Sequence, residues 1–294
     1  MTKTAKFRGT FTALITPFKN GKVDEKAFQD FVAWQIKQGV HGLVPCGTTG
    51  ESPTLSHKEH MRVTELCIEV ADGKVPVMAG AGSNSTSEAI EFTKHAAKAG
   101  ADAVLIVAPY YNKPSQEGLY QHFKAVSESA KIPLFIYNIP GRSVVNISDE
   151  TLARLSKLPN IAGLKDATGD LARPLTLRAT GSKLIQMSGE DMTAVGFNAQ
   201  GGVGCISVTS NVMPKACAAV QEACLKGDFK TALAKHEKLV TLHNVMFCET
   251  NPVPAKYAVS LLGKCRPDVR LPLVELSDAG KKRIRDAMQA LGLI

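Results

Sequence analysis

Strand-like and helix-like segments alternate through most of this 294-residue chain, and that alternation restricts the fold more than any single residue does. Eight short apolar runs read as strands: 9–16, 42–47, 75–82, 103–108, 134–139, 161–166, 184–188 and 202–208. Between them lie amphipathic segments at 24–38, 56–71, 86–99, 116–130, 148–158, 171–179 and a short 192–199. Ser56-x-x-Glu59 and Ser85-x-x-Glu88 have the form of capping boxes at helix starts, and Gly39, Gly73, Gly100 and Gly181 follow helix ends. Eight β-then-α steps predict an α/β fold of the (β/α)8 TIM-barrel type. A doubly wound open sheet would need a switch point and usually a glycine-rich phosphate loop after its first strand. Here that strand runs into Thr16-Pro17-Phe18 instead. Only helical patterns follow, at 228–245, 254–262 and 278–291, which divides the chain into a barrel domain (1–226) and a C-terminal helical region (227–294).

At 44% hydrophobic and 21% charged residues, the composition is that of an ordinary globular protein. No apolar stretch reaches membrane-spanning length, and residues 1–10 contain no apolar leader core, so a cytoplasmic location without membrane association is expected. Seven cysteines without a Cys-x-x-Cys pair read as reduced thiols, not as a disulfide framework or a metal site. The net charge of +8 is spread over many helices. Its densest cluster, Lys281-Lys282-Arg283 with Arg285, lies on an amphipathic segment and reads as a solvated face, so nucleic acid is not an expected partner. A positive field suits small anionic substrates.

Lys165 stands inside the sixth apolar run, Ile161-Ala162-Gly163-Leu164-Lys165-Asp166, and no other lysine falls within a predicted strand. Burial disfavours the charged form of an amine, and a free amine is a nucleophile that forms a Schiff base with a carbonyl. The plain alternative is a lysine whose head snorkels to the strand end.

In a barrel, chemistry sits at the rim formed by the C-terminal ends of the strands. The unusual polar residues map there: Gly47-Thr48-Thr49-Gly50-Glu51-Ser52 after the second strand, Asn84 after the third, Tyr110 and Tyr111 after the fourth, Tyr137 late in the fifth with Arg142 beyond it, and Lys165 at the sixth. The glycine-threonine loop reads as an anion cradle or as a tight turn. Beside a Schiff-base lysine a tyrosine can shuttle protons, although a lone tyrosine is more often core. Arg142 suits a bidentate carboxylate clamp, or lies on the surface. His57 and His60, three apart, lack a third ligand at familiar spacing, and no metal is expected. Glu51 reads as a loop-fixing acceptor and Cys46 as packing.

Together these residues resemble the pyruvate-dependent class I aldolase family of dihydrodipicolinate synthase and N-acetylneuraminate lyase. The resemblance covers nearly the whole chain and rests on Gly47-Thr48-Thr49-Gly50-Glu51, Tyr137-Asn138-Ile139-Pro140-Gly141-Arg142 and Gly163-Leu164-Lys165-Asp166-Ala167. Paired Thr48-Thr49 and Arg142 after Pro-Gly are similar to the dihydrodipicolinate synthase branch. The resemblance implies condensation of pyruvate with L-aspartate 4-semialdehyde to 4-hydroxy-tetrahydrodipicolinate, in lysine and diaminopimelate biosynthesis, with no cofactor beyond the covalent imine. It implies that Lys165 forms the imine and that Tyr137, Thr48 and Tyr111 relay protons, Tyr111 coming from a neighbouring subunit of a homotetramer built from two tight dimers. By the same resemblance Thr49, Arg142, Gly189 and Ile206 bind substrate. It further implies an L-lysine inhibitor site at Ser52, His57, His60, Asn84, Glu88 and Tyr110. Two alternatives stand beside it: a sister aldolase acting on a keto-sugar acid, which Arg142 speaks against, and a non-catalytic barrel that binds a keto acid.

Overall fold

The computed structural model describes residues 6–294, so the first five residues of the stretch expected to lack a leader lie outside the described residues. All eight expected strands form: β1 (Gly9–Ala13), β2 (Gly42–Val44), β3 (Met78–Gly80), β4 (Ala103–Val107), β5 (Leu134–Asn138), β6 (Ile161–Asp166), β7 (Ile185–Ser188) and β8 (Gly204–Ser207). Every neighbouring pair is parallel, in the order β2-β1-β8-β7-β6-β5-β4-β3. A parallel bridge from Leu43 to Val77 joins the two ends and closes a (β/α)8 barrel. Closure leaves none of the eight barrel strands as an open edge. Several expected strands are longer than the observed ones, because their last residues leave the ladder to build the rim.

Helices α1 (Glu25–Lys37), α2 (His57–Ala71), α3 (Thr86–Ala99), α4 (Gln116–Glu128), α5 (Asp149–Leu155), α6 (Arg173–Ala179), α7 (Ala194–Ala199) and α8 (Pro214–Leu225) follow the strands in turn. Helix α8 is absent from the sequence reading. Its sequence, PKACAAVQEACL, buries residues on most of its faces and so carries no clear amphipathic period. A second omission is the antiparallel hairpin of Phe18–Lys19 and Lys22–Val23, which turns through Asn20-Gly21 with both residues at positive φ (53° and 75°).

The capping box at Ser56 and Glu59 forms. The one expected at Ser85 and Glu88 does not. The Ser85 hydroxyl pairs with that of Ser87, and the Glu88 carboxylate turns to the His57 ring 2.6 Å away. The carboxylate is thereby drawn across to α2 instead of back to its own cap.

Beyond the barrel come α9 (Phe229–Glu237), α10 (Val240–Val245), α11 (Val253–Leu261) and α12 (Asp278–Ala290). The single helix expected at 228–245 is two, each tied to the barrel by its own histidine: His236 bonds the Met192 carbonyl and His243 the Thr209 hydroxyl. These helices are not an independent unit in packing terms. Leu242, Val245, Met246, Val253, Val259 and Ile284 share one apolar core with Leu14, Ile15, Phe28, Leu43 and Leu66 of the barrel. Among the described residues no helix is long and apolar enough to cross a membrane.

Inside the barrel, Phe7, Phe11 and Phe135 fill the end opposite the rim, with Phe7 and Phe135 edge to face at 5.1 Å. Glycine is required beneath these rings: a Cβ on Gly42 or Gly163 would lie 2.2 Å from Phe11 or Phe135. Aromatic filling at one end leaves open space at the other.

Candidate active site

The open end holds a cavity of about 350 Å³, and Lys165 stands in its wall. Side chains of a strand alternate between faces. Leu164 therefore packs outward against the helices, while Lys165 points into the barrel and is only 6% exposed. The parallel register of β5 and β6 sets Tyr137 opposite Lys165 and Asn138 opposite Asp166. Tyr137 consequently shares the interior face, and the Lys165 Nζ lies 4.0 Å from its ring centroid. Gly189, at the end of β7, makes room for the lysine stem: a Cβ there would sit 2.7 Å from Ala167 Cβ and 3.1 Å from Lys165 Cε. Asp166 faces the other way. Its carboxylate receives the Thr168 hydroxyl at 2.5 Å, and burial pushes its pKa up.

Thr48 and Thr49 line the same cavity. They sit in a turn closed by Gly50 N–H to the Gly47 carbonyl (3.0 Å) and Glu51 N–H to the Thr48 carbonyl (3.1 Å). Glu51 adopts a left-handed backbone conformation (φ 57°), which is uncommon for a residue with a Cβ. It does so with its carboxylate fully committed beneath the loop: Oε1 accepts from Lys256 Nζ at 2.6 Å and Oε2 from the Arg270 backbone N–H at 3.2 Å. The expected role of Glu51 as a loop-fixing acceptor is thus observed. Cys46 is buried, with its thiol pushed up to about 12 by desolvation, and packs against the start of α2 as expected.

Arg142 is exposed at the cavity mouth on the short helix Pro140–Ser143. A polar network anchors the segment that follows it: Asn138 Nδ2 donates to Asn146 Oδ1 (2.8 Å), the Ile147 N–H donates to Asn138 Oδ1 (3.1 Å), and Arg173 binds Asn146 (2.9 Å) and Asp149 (2.5 Å).

The wall facing these residues comes from the C-terminal region and is missing from the sequence reading. His243, Asn244, Phe247 and Asn251 line it. Asn251 is 5% exposed and bridges two expected site residues: its Nδ2 donates to Thr49 Oγ1 (3.1 Å) and its carbonyl accepts from Arg142 (3.2 Å). The one local signal was Asn251-Pro252-Val253-Pro254, an interruption in an otherwise helical tail. Two carboxylates also reach the cavity. Asp191 is consumed by the Ser207 hydroxyl (2.5 Å) and the Val208 and Thr209 amides (2.8 and 3.0 Å). Burial, with Asp166 and Asp191 nearby, raises the pKa of Glu190.

Two expected residues are not in this cavity. Ile206 is wholly buried in the barrel interior. Tyr111 is 87% exposed and held at φ 73°, a strained conformation for a tyrosine. Next to it, Tyr110 is half-buried, and its carbonyl accepts from Asn84 at 3.2 Å. Asn84, Glu88, His57 and the buried His60 lie in one region where α2 meets α3. His57 bonds Glu88, and His60 stacks on Phe92 at 4.0 Å. Burial lowers the pKa of His60 to about 4. Ser52 starts the 3-10 turn Ser52–Thr54 just ahead of α2. Among the described residues no cluster of three His, Cys, Asp or Glu side chains could hold a metal.

The chain is similar to known proteins over nearly its whole length. The profile of the Dihydrodipicolinate synthetase family matches residues 6–291. The 4-hydroxy-tetrahydrodipicolinate synthase of Afipia carboxidovorans is 60% identical over the full length of both chains. Among solved structures, a chloride-inhibited dihydrodipicolinate synthase from Acinetobacter baumannii complexed with pyruvate superposes with a TM-score of 0.95. It is 45% identical, with 98% of this chain and 99% of that one covered. The enzyme of Cyanidioschyzon merolae with lysine bound has a TM-score of 0.94 and 38% identity, covering 98% and 99%.

Proposed function

We infer that this chain, which belongs to the dihydrodipicolinate synthetase family, condenses pyruvate with L-aspartate 4-semialdehyde to 4-hydroxy-tetrahydrodipicolinate, a step of lysine and diaminopimelate biosynthesis. The observation that carries the reading is Lys165: a buried amine beside Tyr137, in a cavity that also holds Thr48 and Thr49. In the proposed mechanism the Lys165 amine adds to the pyruvate ketone and water leaves, forming an imine. Loss of a methyl proton gives an enamine, whose carbon attacks the aldehyde. Transimination by the substrate's own amine then frees Lys165 as the ring closes. Thr48 and Thr49 hold the pyruvate carboxylate, Gly189 and the Ile206 strand shape the imine's surroundings, and Tyr137 and Thr48 carry protons. Arg142 at the mouth receives the carboxylate of the aldehyde substrate. No metal or organic cofactor takes part.

Tyr111 completes the relay from the neighbouring subunit of a tight dimer, two of which make a homotetramer. Its exposure and strained backbone support a role met only in the assembly. The barrel (1–226) is the catalytic domain, the helical region (227–294) closes its cavity, and the enzyme works in the cytoplasm. Incubation with pyruvate and either the semialdehyde or a sugar aldehyde tests the substrate. Product should form with the semialdehyde only; product with the sugar alone would move the chain to a sister activity.

L-Lysine is the proposed inhibitor, held by Ser52, His57, His60, Asn84, Glu88 and Tyr110. Glu88 and Asn84 would meet its amino groups, and Tyr110 and the histidines its carboxylate and stem. Lysine should slow the initial rate at saturating pyruvate, and Glu88→Ala should abolish that effect. A rate unchanged at millimolar lysine would remove the regulatory assignment alone.

A further inference from the structure

The loop that carries Thr48 and Thr49 rests on a charge pair with almost no exposed surface. Lys256 and Glu51 have side-chain exposures of 0% and 1%, and their charged atoms are 2.6 Å apart. The Lys256 ammonium also lies 3.9 Å from the Phe18 ring centroid. Burial strips water from both charges, a cost that their attraction does not reliably repay, so such a pair is not explained by stability. Its location suggests what it does instead. Glu51 lies two residues after Thr49, in a left-handed conformation that a free chain would leave. Its second oxygen takes the Arg270 backbone N–H. The Arg270 side chain in turn holds Glu59 at the start of α2 (2.6 and 2.8 Å) and the Thr54 carbonyl (2.8 Å). From the other side, the Thr16 hydroxyl donates to the Gly50 carbonyl at 2.7 Å, and Asn251 donates to Thr49 Oγ1. Every one of these bonds restrains residues 49–59, and those from Lys256, Arg270 and Asn251 come from the C-terminal region.

We propose that the Glu51–Lys256 pair is a positioning device that sets the Thr48–Thr49 hydroxyls for the carboxylate of the keto acid, so that a helix of the C-terminal region, outside the cavity lining, controls keto-acid affinity. The proposal rests on the reading that this loop binds the pyruvate carboxylate. Neither Glu51 nor Lys256 touches substrate; both act through the loop. A displacement of about 1 Å in a positioning group costs up to about a hundredfold in rate or affinity.

The experiment compares Glu51→Gln, Lys256→Met, the paired apolar replacement Glu51→Leu with Lys256→Met, and Thr49→Ala. KM for pyruvate, KM for the semialdehyde, kcat and thermal unfolding are measured for each. The paired replacement removes both charges together and guards against a single variant that fails to fold. In folded variants of the pair, KM for pyruvate should rise roughly tenfold or more, with KM for the semialdehyde within about twofold. If Thr49→Ala raises KM for pyruvate and folded pair variants do not, the positioning role is wrong and the loop assignment stands. If Thr49→Ala leaves it unchanged, the loop assignment fails first. A readout on the unmutated protein decides the matter without any variant. Saturating pyruvate should slow amide exchange in residues 47–54 and in α11 together; protection confined to residues 47–54 would overturn the coupling.

Discussion

Two buried lysines stand on opposite sides of one threonine loop. Lys165 is 6% exposed, at the end of a barrel strand, with an aromatic ring rather than a carboxylate as its neighbour. Lys256 is completely buried on α11 and paired at 2.6 Å with Glu51; desolvation lowers its pKa, and Glu51 opposes that shift. Burial alone therefore does not mark a reactive amine. An amine paired at 2.6 Å with a buried carboxylate is fixed in place, whereas an amine facing the open cavity can reach a carbonyl.

The contrast is broken most forcefully by removing each lysine in turn. Lys165→Ala should reduce kcat by at least about a thousandfold, as removal of a covalent nucleophile does. Stability should hold or rise, because no buried counter-ion is left behind. Lys256→Met strands the Glu51 carboxylate and should cost about 3–5 kcal/mol of stability, with its kinetic effect concentrated in pyruvate affinity. Denaturant melts and steady-state kinetics on both variants separate these outcomes. A folding defect in the Lys165 variant with little kinetic change would reverse the assignment.

Buried bases kept neutral sharpen the same point. His60 and His122 are each 5% exposed, and desolvation is the largest cause of their fall to about 4. Their folded pKa values lie below the unfolded value of about 6.5, so the unfolded chain binds protons first on acidification. Their contribution is intact above about pH 6.5, falls between there and about pH 4, and is constant below. At pH 5 each should have lost roughly 2 kcal/mol relative to pH 7.5. The carboxylate of Glu59 adds a second, lower window: its hydrogen bond to Arg270 holds it at about 2, so its contribution is lost as pH falls from about 4.5. Urea unfolding at pH 7.5, 6 and 5, with His122→Phe as comparison, measures the first window. A wild-type curve flat from pH 7.5 to 5 would contradict buried, neutral histidines.

What could be read in the sequence follows from how far apart the cooperating residues lie. The barrel was legible because each strand-helix step is local. Lys165 and the Thr48-Thr49 loop were legible because one strand or one turn contains the whole signal. Lys256 and Asn251 were not: they meet Glu51 and Thr49 across 205 and 202 positions, and nothing in α11 marks one lysine as buried. Helix α8 was hidden by its alanines and cysteines, which bury several faces at once. The capping pattern at Ser85 misled for a related reason, since its glutamate pairs with a residue on another helix. Local patterns gave the scaffold and the nucleophile, while the elements that hold the site in place needed the fold.

Of the two buried lysines, only Lys165 should react with pyruvate. Borohydride reduction in the presence of pyruvate, followed by peptide mass spectrometry, tests it directly. A reduced pyruvyl adduct should appear on Lys165, with the Lys256 peptide unmodified. An adduct on Lys256 or elsewhere, with the Lys165 peptide unchanged, would contradict it.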